Sequence, residues 1–177
     1  RTPLLPKLTD EEEAVATSVI VSCKSNIVKV NGARRYIDNG DENKTPVIID
    51  GRALMPIAAL ARSLGYYYED LPDKGYILLR KNDKEYTLKD GKLYKRTGQE
   101  DMKPIGNNIV YIDGEAYASL RFFAEEDGKY VGYKDGIIVI DNRHSVNNVL
   151  NSELFNEIKK EFDSYIPNKK GGSVYHV

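Results

Sequence analysis

The sequence predicts an α+β fold in which antiparallel strands pack on short helices. Three observations predict it. Short apolar runs alternate with tight-turn pairs such as Asn31-Gly32, Asp90-Gly91 and Asp113-Gly114. An apolar stripe at helical spacing stands between such runs, at Ile57, Leu60, Ala61 and Leu64. And a segment of the first half of the chain returns in the second half with its residue classes in phase.

Taken in order, residues 1–14 carry prolines and the acidic run Asp10 to Glu13, and read as a linker or arm. Val15 to Val21 is rich in β-branched residues and reads as a strand. Ile27-Val-Lys-Val30 alternates and meets Asn31-Gly32, a hairpin signal because both residues tolerate positive φ. Arg34 to Ile37 is the returning strand. The acidic stretch Asp38 to Asn43 lacks the bidentate Glu at the twelfth position that an EF-hand loop needs, so it reads as a solvated turn rather than a calcium site.

The internal repeat organises the rest. Val47-Ile-Ile-Asp-Gly51 returns as Val110-Tyr-Ile-Asp-Gly114, 63 positions on, and Ala53, Ile57, Ala61, Gly65 and Tyr67 fall on Ala116, Leu120, Ala124, Gly128 and Tyr130. Each copy predicts strand, Asp-Gly turn, strand, short helix, then a strand pair. Pro56 suits a helix start and Gly65 a left-handed stop. Ser119 caps the second helix, whose stripe is cut short because Asp127 stands where Leu64 stood. Tyr66 to Glu69 with Tyr76 to Arg80, and Tyr130 to Tyr133 with Ile137 to Ile140, are the returning pairs. Glu85 to Leu88 and Lys92 to Tyr94 flank Asp90-Gly91 as a further hairpin. Leu150, Leu154, Phe155, Ile158 and Phe162 mark a C-terminal amphipathic helix, capped by Asn151 or Ser152. The expected organisation is an arm over 1–14, a duplicated module over 15–146, a helix over 147–166, and over 167–177 a linker and the start of a following domain.

Composition narrows the function. The 177 residues suffice for one compact domain or two small ones, and 41% are hydrophobic. Charged residues make up 30% and nearly cancel to a net charge of -1, which gives no electrostatic reason to expect nucleic acid or an anionic membrane. No apolar run approaches the roughly 18 residues that span a bilayer. The single cysteine, Cys23, excludes an internal disulfide and a CxxC motif, and in Val-Ile-Val-Ser-Cys it reads as a strand residue. The chain opens at Arg1 without an initiator Met or a signal peptide and stops at Val177, so both ends read as cut from something longer.

Val47-Ile-Ile-Asp-Gly-Arg52, Met55-Pro-Ile57 and Ser63-Leu-Gly65, with Ile112-Asp-Gly114 and Leu120-Arg-Phe-Phe-Ala-Glu125 in the second copy, resemble the copper amine oxidase N-terminal domain family. Val28-Lys-Val-Asn-Gly32 is similar to the strand and turn that open its module. The resemblance covers Ser18 to Ile140. Asp70 and Tyr133 stand where the family has an aromatic residue and Trp, and Ala118-Ser119 replaces its Val-Pro. The resemblance implies an antiparallel sheet curled against helices, on extracellular bacterial proteins, without the oxidase chemistry. His144 and His176 are the only histidines, too few for the converging imidazoles that a copper site wants. Ser173-Val-Tyr-His-Val177 resembles the first strand of secreted right-handed β-helix proteins, and the flanks resemble modules that precede polysaccharide lyase domains.

No enzyme constellation emerges. Asp50 and Asp113 repeat, but Asp-Gly is the pair a tight turn needs. No Gly-x-Ser-x-Gly elbow, Walker loop or GxGxxG occurs, and the sequence calls for no metal or cofactor. Binding is the stronger expectation. Sugar rings stack on aromatic faces, and the chain has 13 Tyr, 4 Phe and no Trp. In a strand Tyr66 and Tyr68 share a face, and Tyr68 is expected inward, so Tyr67 and its repeat mate Tyr130 are expected to point outward; Tyr66 is kept as a further candidate. Arg52, Arg62 and Arg121 suit bidentate contacts to acidic sugars, although an ion pair is the plainer role for Arg52. The expected function is a non-catalytic accessory module of a secreted, polysaccharide-active bacterial protein, giving spacing, docking or weak carbohydrate binding. The alternatives are a structural module packed on its own catalytic domain, or a fragment of a lyase or glycoside hydrolase. The expected partner is polysaccharide or that adjacent domain, without nucleic acid or membrane insertion.

Overall fold

In the computed structural model, which describes residues 7–106, 109–144 and 146–167, the chain is α+β with all strand pairing antiparallel. It opens with helix α1 (Asp10–Thr17), then strands β1 (Val19–Ser22), β2 (Ile27–Val30), β3 (Ala33–Tyr36), β4 (Val47–Ile49) and β5 (Arg52–Pro56). Helix α2 (Ile57–Leu64) follows, then β6 (Tyr67–Leu71), β7 (Tyr76–Lys81), β8 (Lys84–Lys89), β9 (Lys92–Thr97), β10 (Lys103–Ile105), β11 (Ile109–Ile112) and β12 (Glu115–Ser119). Helix α3 (Leu120–Glu126), β13 (Tyr130–Lys134), β14 (Ile137–Asp141), α4 (Val146–Leu150) and α5 (Leu154–Asp163) complete it.

The strands divide among three sheets, in the orders β13-β14-β1-β2-β3, β10-β9-β8-β7-β6 and β11-β12-β5-β4. Tight turns set the hairpins. Asn31, Asp50, Asp90, Asp113 and Asp135 all take φ between 48° and 52°, each followed by a glycine at positive φ. That backbone twist matches the right-handed twist of the flanking strands, and Asn or Asp followed by Gly adopts it at least cost. Asp50 and Asp113 are therefore turn residues. The centre of the third sheet is the β5–β12 pair, with Met55 opposite Ala118. Each of these strands runs directly into a helix, and the strand pairs that follow go to different sheets: β6–β7 to the second, β13–β14 to the first.

The main core lies where all three sheets meet α2 and α3. Val21, Val28 and Ile140 enter from the first sheet, Leu79 and Leu88 from the second, Met55 and Ala118 from the third, and Leu60, Leu64, Leu120 and Phe123 from the helices. The other face of the first sheet is also covered. Ile20, Ile27, Ile137 and Val139 pack against Ala14 of α1, Val149 of α4, and Phe155, Ile158 and Phe162 of α5. A strand buried on both faces reads as a continuous apolar run rather than an alternating one, as in Val19-Ile-Val21 and Ile137-Ile-Val-Ile140. Gly132 of β13 allows α4 this close, because a Cβ there would stand 2.8 Å from Leu150 Cδ1.

The flanks depart from the sequence reading. The acidic run expected as an arm is the first turn of α1. Thr9 caps it, its Oγ1 accepting from Glu12 N at 3.1 Å while its own N–H donates to Glu12 Oε1 at 2.9 Å. Carboxylates there face the positive end of the helix dipole. The strand expected from Val15 starts at Val19, since α1 runs to Thr17. The single helix expected over 147–166 is two helices, and Ser152 does not cap the second; its Oγ donates back to Val149 O at 2.7 Å. Of the linker and following domain expected over 167–177, all but Pro167, including the β-helix-like tail over 173–177, lies outside the described residues. Asp38 and Asp41 accept from Gly40 N at 2.8 Å and Asn43 N at 3.0 Å, which makes their loop a pair of turns.

Three rings lock the second sheet to α3. Tyr66, Tyr86 and Phe123 meet edge to face, with centroids 5.4–6.0 Å apart. Tyr66 OH donates to Phe123 O at 2.8 Å and Tyr86 OH donates to Glu126 Oε1 at 2.6 Å. Burial opposes the charge on Glu126, but Lys95 Nζ at 2.5 Å and the Tyr86 hydroxyl outweigh it and hold the carboxyl below its usual range. A carboxyl depressed in the folded state contributes stability above its unfolded pKa, about 4.3, and loses it as pH falls through the folded value. Tyr86→Phe is expected to cost about 1–2 kcal/mol in urea unfolding at pH 7. Glu126→Gln is expected to unfold more readily at pH 7 and to show a shallower loss of stability below pH 5.

Candidate functional site

The second sheet has one face in the main core and one toward solvent. Residues directly opposite each other on neighbouring strands share a face. Tyr68, Leu79, Tyr86 and Lys95 are the inward row. The outward rows are Glu69, Leu78, Thr87 and Tyr94; Leu71, Tyr76 and Lys89; and Tyr67, Arg80, Glu85 and Arg96. Tyr76, Leu78, Thr87, Tyr94 and Met102 line a shallow depression of about 540 Å³ on this outer face, with Glu85 and Lys89 at its side. Strand rise and strand spacing put Tyr76 and Tyr94 about 12 Å apart. The surface is thus two half-buried phenol rings on a twisted antiparallel sheet, with hydroxyl, carboxylate and ammonium groups between them. Arg96 Nη2 to Glu85 Oε2 is 2.5 Å, so part of the polar rim is held in place.

Tyr67 belongs to this face, as its outward direction requires, and is 49% exposed. Its ring carries the Arg80 guanidinium 4.9 Å from the centroid, and its hydroxyl donates to Glu69 Oε1 at 3.0 Å. That hydrogen bond favours the neutral phenol and raises its pKa. Tyr130 is 38% exposed, but it stands on β13 of the first sheet with the His144 ring 3.9 Å away, so it does not continue the Tyr67 row. Tyr66 is 6% exposed and belongs to the aromatic lock; burial, with Asp127 and Glu126 nearby, raises its pKa. It offers no ring to a ligand. The sequence reads Tyr76 and Tyr94 as strand residues and does not single them out for binding. The available signal is their place in strands joined by short turns, Tyr76 to Arg80 and Lys92 to Tyr94, from which cross-strand register puts both rings on one face.

Arg52 stands elsewhere, at the rim of a groove of about 480 Å³ between the β4–β5 turn, α3 and the β13–β14 hairpin. Leu120, Val131 and Ile138 form its floor, while Arg121 and Tyr133 share the rim with Arg52. A sugar hydroxyl pressed onto such a floor without a partner costs about 1–3 kcal/mol. A leucine- or phenylalanine-sized group gains about 1.5–3 kcal/mol from the same burial. The two concavities therefore suit different ligands. Arg62 is structural: its Nη2 donates to Ile37 O at 3.0 Å.

Neither surface carries a nucleophile with a base or a converging set of metal ligands. Among the described residues no three His, Cys, Asp or Glu side chains group to hold a metal ion, and no helix is long and apolar enough to cross a membrane. Cys23 is half-buried, and burial pushes its thiol up to about 11, which keeps it protonated at neutral pH.

The sequence model of a family described as copper amine oxidase N-terminal domain matches residues 36–140. No curated protein and no solved structure matches the chain. The match ends, as the sequence resemblance does, at Ile140, and begins at Tyr36 rather than Ser18. It omits β1 and β2, although β1 is the strand that joins β14 to β2. A fragment of residues 36–140 is accordingly expected to show no cooperative thermal transition by circular dichroism. A fragment of residues 9–165, which keeps both faces of the first sheet covered, is expected to unfold cooperatively.

Proposed function

The chain belongs to the copper amine oxidase N-terminal domain family, and on that footing we propose that it is a non-catalytic accessory module of a secreted bacterial protein that acts on polysaccharide. Its task is to hold a glycan chain beside a larger partner. The observation that carries this reading is the outer face of the β6–β10 sheet. Tyr76 and Tyr94 line its depression, and Thr87, Glu85 and Lys89 beside them offer donors and acceptors to sugar hydroxyls. The apolar CH face of a pyranose covers a phenol ring while its equatorial hydroxyls reach the polar neighbours. A shallow surface of this kind binds weakly and along the length of a polymer, which suits docking and not turnover. Tyr67 and Arg80 extend the same face by one row.

A second reading has its own observation. The groove at Arg52, Arg121 and Tyr133 has the apolar floor of a protein contact, which favours a module that also packs on its own neighbouring domain.

Affinity gels and calorimetry with a panel of acidic and neutral glycans test the first reading. Retarded migration on at least one glycan is expected. Tyr94→Ala is expected to weaken it about threefold to tenfold, the equivalent of one aromatic contact of about 0.5–1.5 kcal/mol, without lowering the melting temperature appreciably. A flat response across the panel refutes glycan docking and leaves the spacer role alone.

A further inference from the structure

The charges on the outer face of the second sheet are unevenly paired. In the outward rows of β6 to β9, Lys89, Lys92, Arg80 and Arg96 stand with only Glu69 and Glu85 among them. The face is therefore positive on a chain whose net charge is -1. Glu85 is held by Arg96, Glu69 accepts from the Tyr67 hydroxyl, and Arg80 lies over the Tyr67 ring. Lys89 and Lys92 differ from these. They are exposed and directly opposite each other across the β8–β9 hairpin. Asp73 and Asp90 stand in the turns at that end of the sheet, yet among the described residues neither ammonium has an ion pair or a hydrogen bond. Like charges in opposite positions work against the pairing of their strands. We infer that the glycan held on this face is acidic, its sugar rings lying on Tyr76 and Tyr94 and its carboxylates on Lys89 and Lys92.

This inference rests on the docking role proposed above and narrows its ligand. Each ring has one ammonium beside it. Lys89 is directly opposite Tyr76, about 5 Å away between Cβ atoms, and lines the depression itself. Lys92 stands two residues before Tyr94 on the same face, about 7 Å along the strand. A pyranose stacked on a phenol carries its equatorial groups outward in the plane of its own ring. The carboxylate that replaces the exocyclic hydroxymethyl group in a uronic acid is such a group, and a lysine stem brings its ammonium to it. An ammonium is a rotatable point charge without the fixed fork of a guanidinium. It therefore follows a carboxylate on a polymer that shifts along a shallow surface. A carboxylate between Lys89 and Lys92 also offsets their mutual repulsion. Exposed contacts of this kind are individually weak, so two of them bias the face toward acidic polymer without making a tight site.

The test uses affinity gels and calorimetry on the full chain. The ligands are polygalacturonate, alginate and hyaluronan, each as the free acid and as its methyl ester, which keeps the backbone and removes the charge. Xylan, dextran sulfate and polyglutamate complete the set. At least one free acid is expected to bind about threefold to tenfold more tightly than its ester at low salt, with the difference shrinking as salt rises. The double variant Lys89→Gln with Lys92→Gln is expected to remove that difference and to retain binding to the ester, with no loss of melting temperature. Tyr94→Ala is expected to weaken both forms. Equal binding of acid and ester, binding to xylan alone, or an acid preference that survives the double variant overturns the inference and leaves glycan docking in place. No binding to any glycan removes the docking role and this inference with it. Polyglutamate binding as tightly as the best acid overturns the inference in favour of a surface for any polyanion. Dextran sulfate binding where every uronate fails overturns it in favour of sulfate.

Discussion

Tyr66, Tyr86 and Phe123 come from the residue before β6, the middle of β8 and the core side of α3, and they meet with nothing between them. The second sheet sits on the helices because these rings fit and because their hydroxyls are satisfied. A buried phenol without a partner costs as much as the packing gains, so the acceptors at Phe123 O and Glu126 Oε1 decide where the sheet can sit. Charges finish the seal. Lys81 donates to Leu64 O at 2.6 Å, at the exposed end of α2, and reaches Asp127 Oδ2 at 2.5 Å, at the end of α3. One ammonium thereby satisfies a terminal carbonyl of α2, where the helix dipole favours a cation, and pairs with the carboxylate that follows α3. Lys84 hydrogen-bonds Glu126 O, and Lys95 pairs with the carboxylate of the same residue. Asp127, which breaks the apolar stripe of α3, is thus part of the clamp.

With the second sheet held this way, its inner face is committed and its outer face is free. Strand alternation does the rest: Tyr68 and Tyr86 must turn inward if Tyr67, Tyr76 and Tyr94 turn outward. The shallow depression at Tyr76 and Tyr94 is therefore a by-product of the packing that buries Leu79 and Leu88.

The first sheet solves a different problem. β1 and β14 are apolar on both faces, so one layer of core is not enough, and α1, α4 and α5 supply the second. These helices are short, and none reaches the length at which a helix stands alone in water. They persist because Phe155, Ile158 and Phe162 cover Ile20, Ile27 and Val139. The family match covers neither the helices nor β1 and β2, so the folded body is longer than the segment by which the family is identified.

The sequence by itself determined what depends on neighbours along the chain. Asn31-Gly32, Asp50-Gly51, Asp90-Gly91 and Asp113-Gly114 were legible because positive φ is a local property, and each proves to be a hairpin turn. The stripe from Ile57 to Leu64 and the stop at Gly65 were legible for the same reason, and so were the antiparallel class and the outward direction of Tyr67 and Tyr130. The helix at Asp10 was equally local and was missed, since its Thr9 cap and Glu12 partner lie within an acidic run that resembles a linker. Tertiary structure alone decided how the strands divide among three sheets, because a hairpin carries no record of which edge it will join. It also decided that Tyr66 meets Tyr86 and Phe123, that Tyr67 and Tyr130 stand on different sheets, and that Arg52 meets Arg121 and Tyr133 across a groove. Those outcomes depend on contacts between residues tens of positions apart, and only the closing of the aromatic lock and the two-sided burial of the first sheet select them.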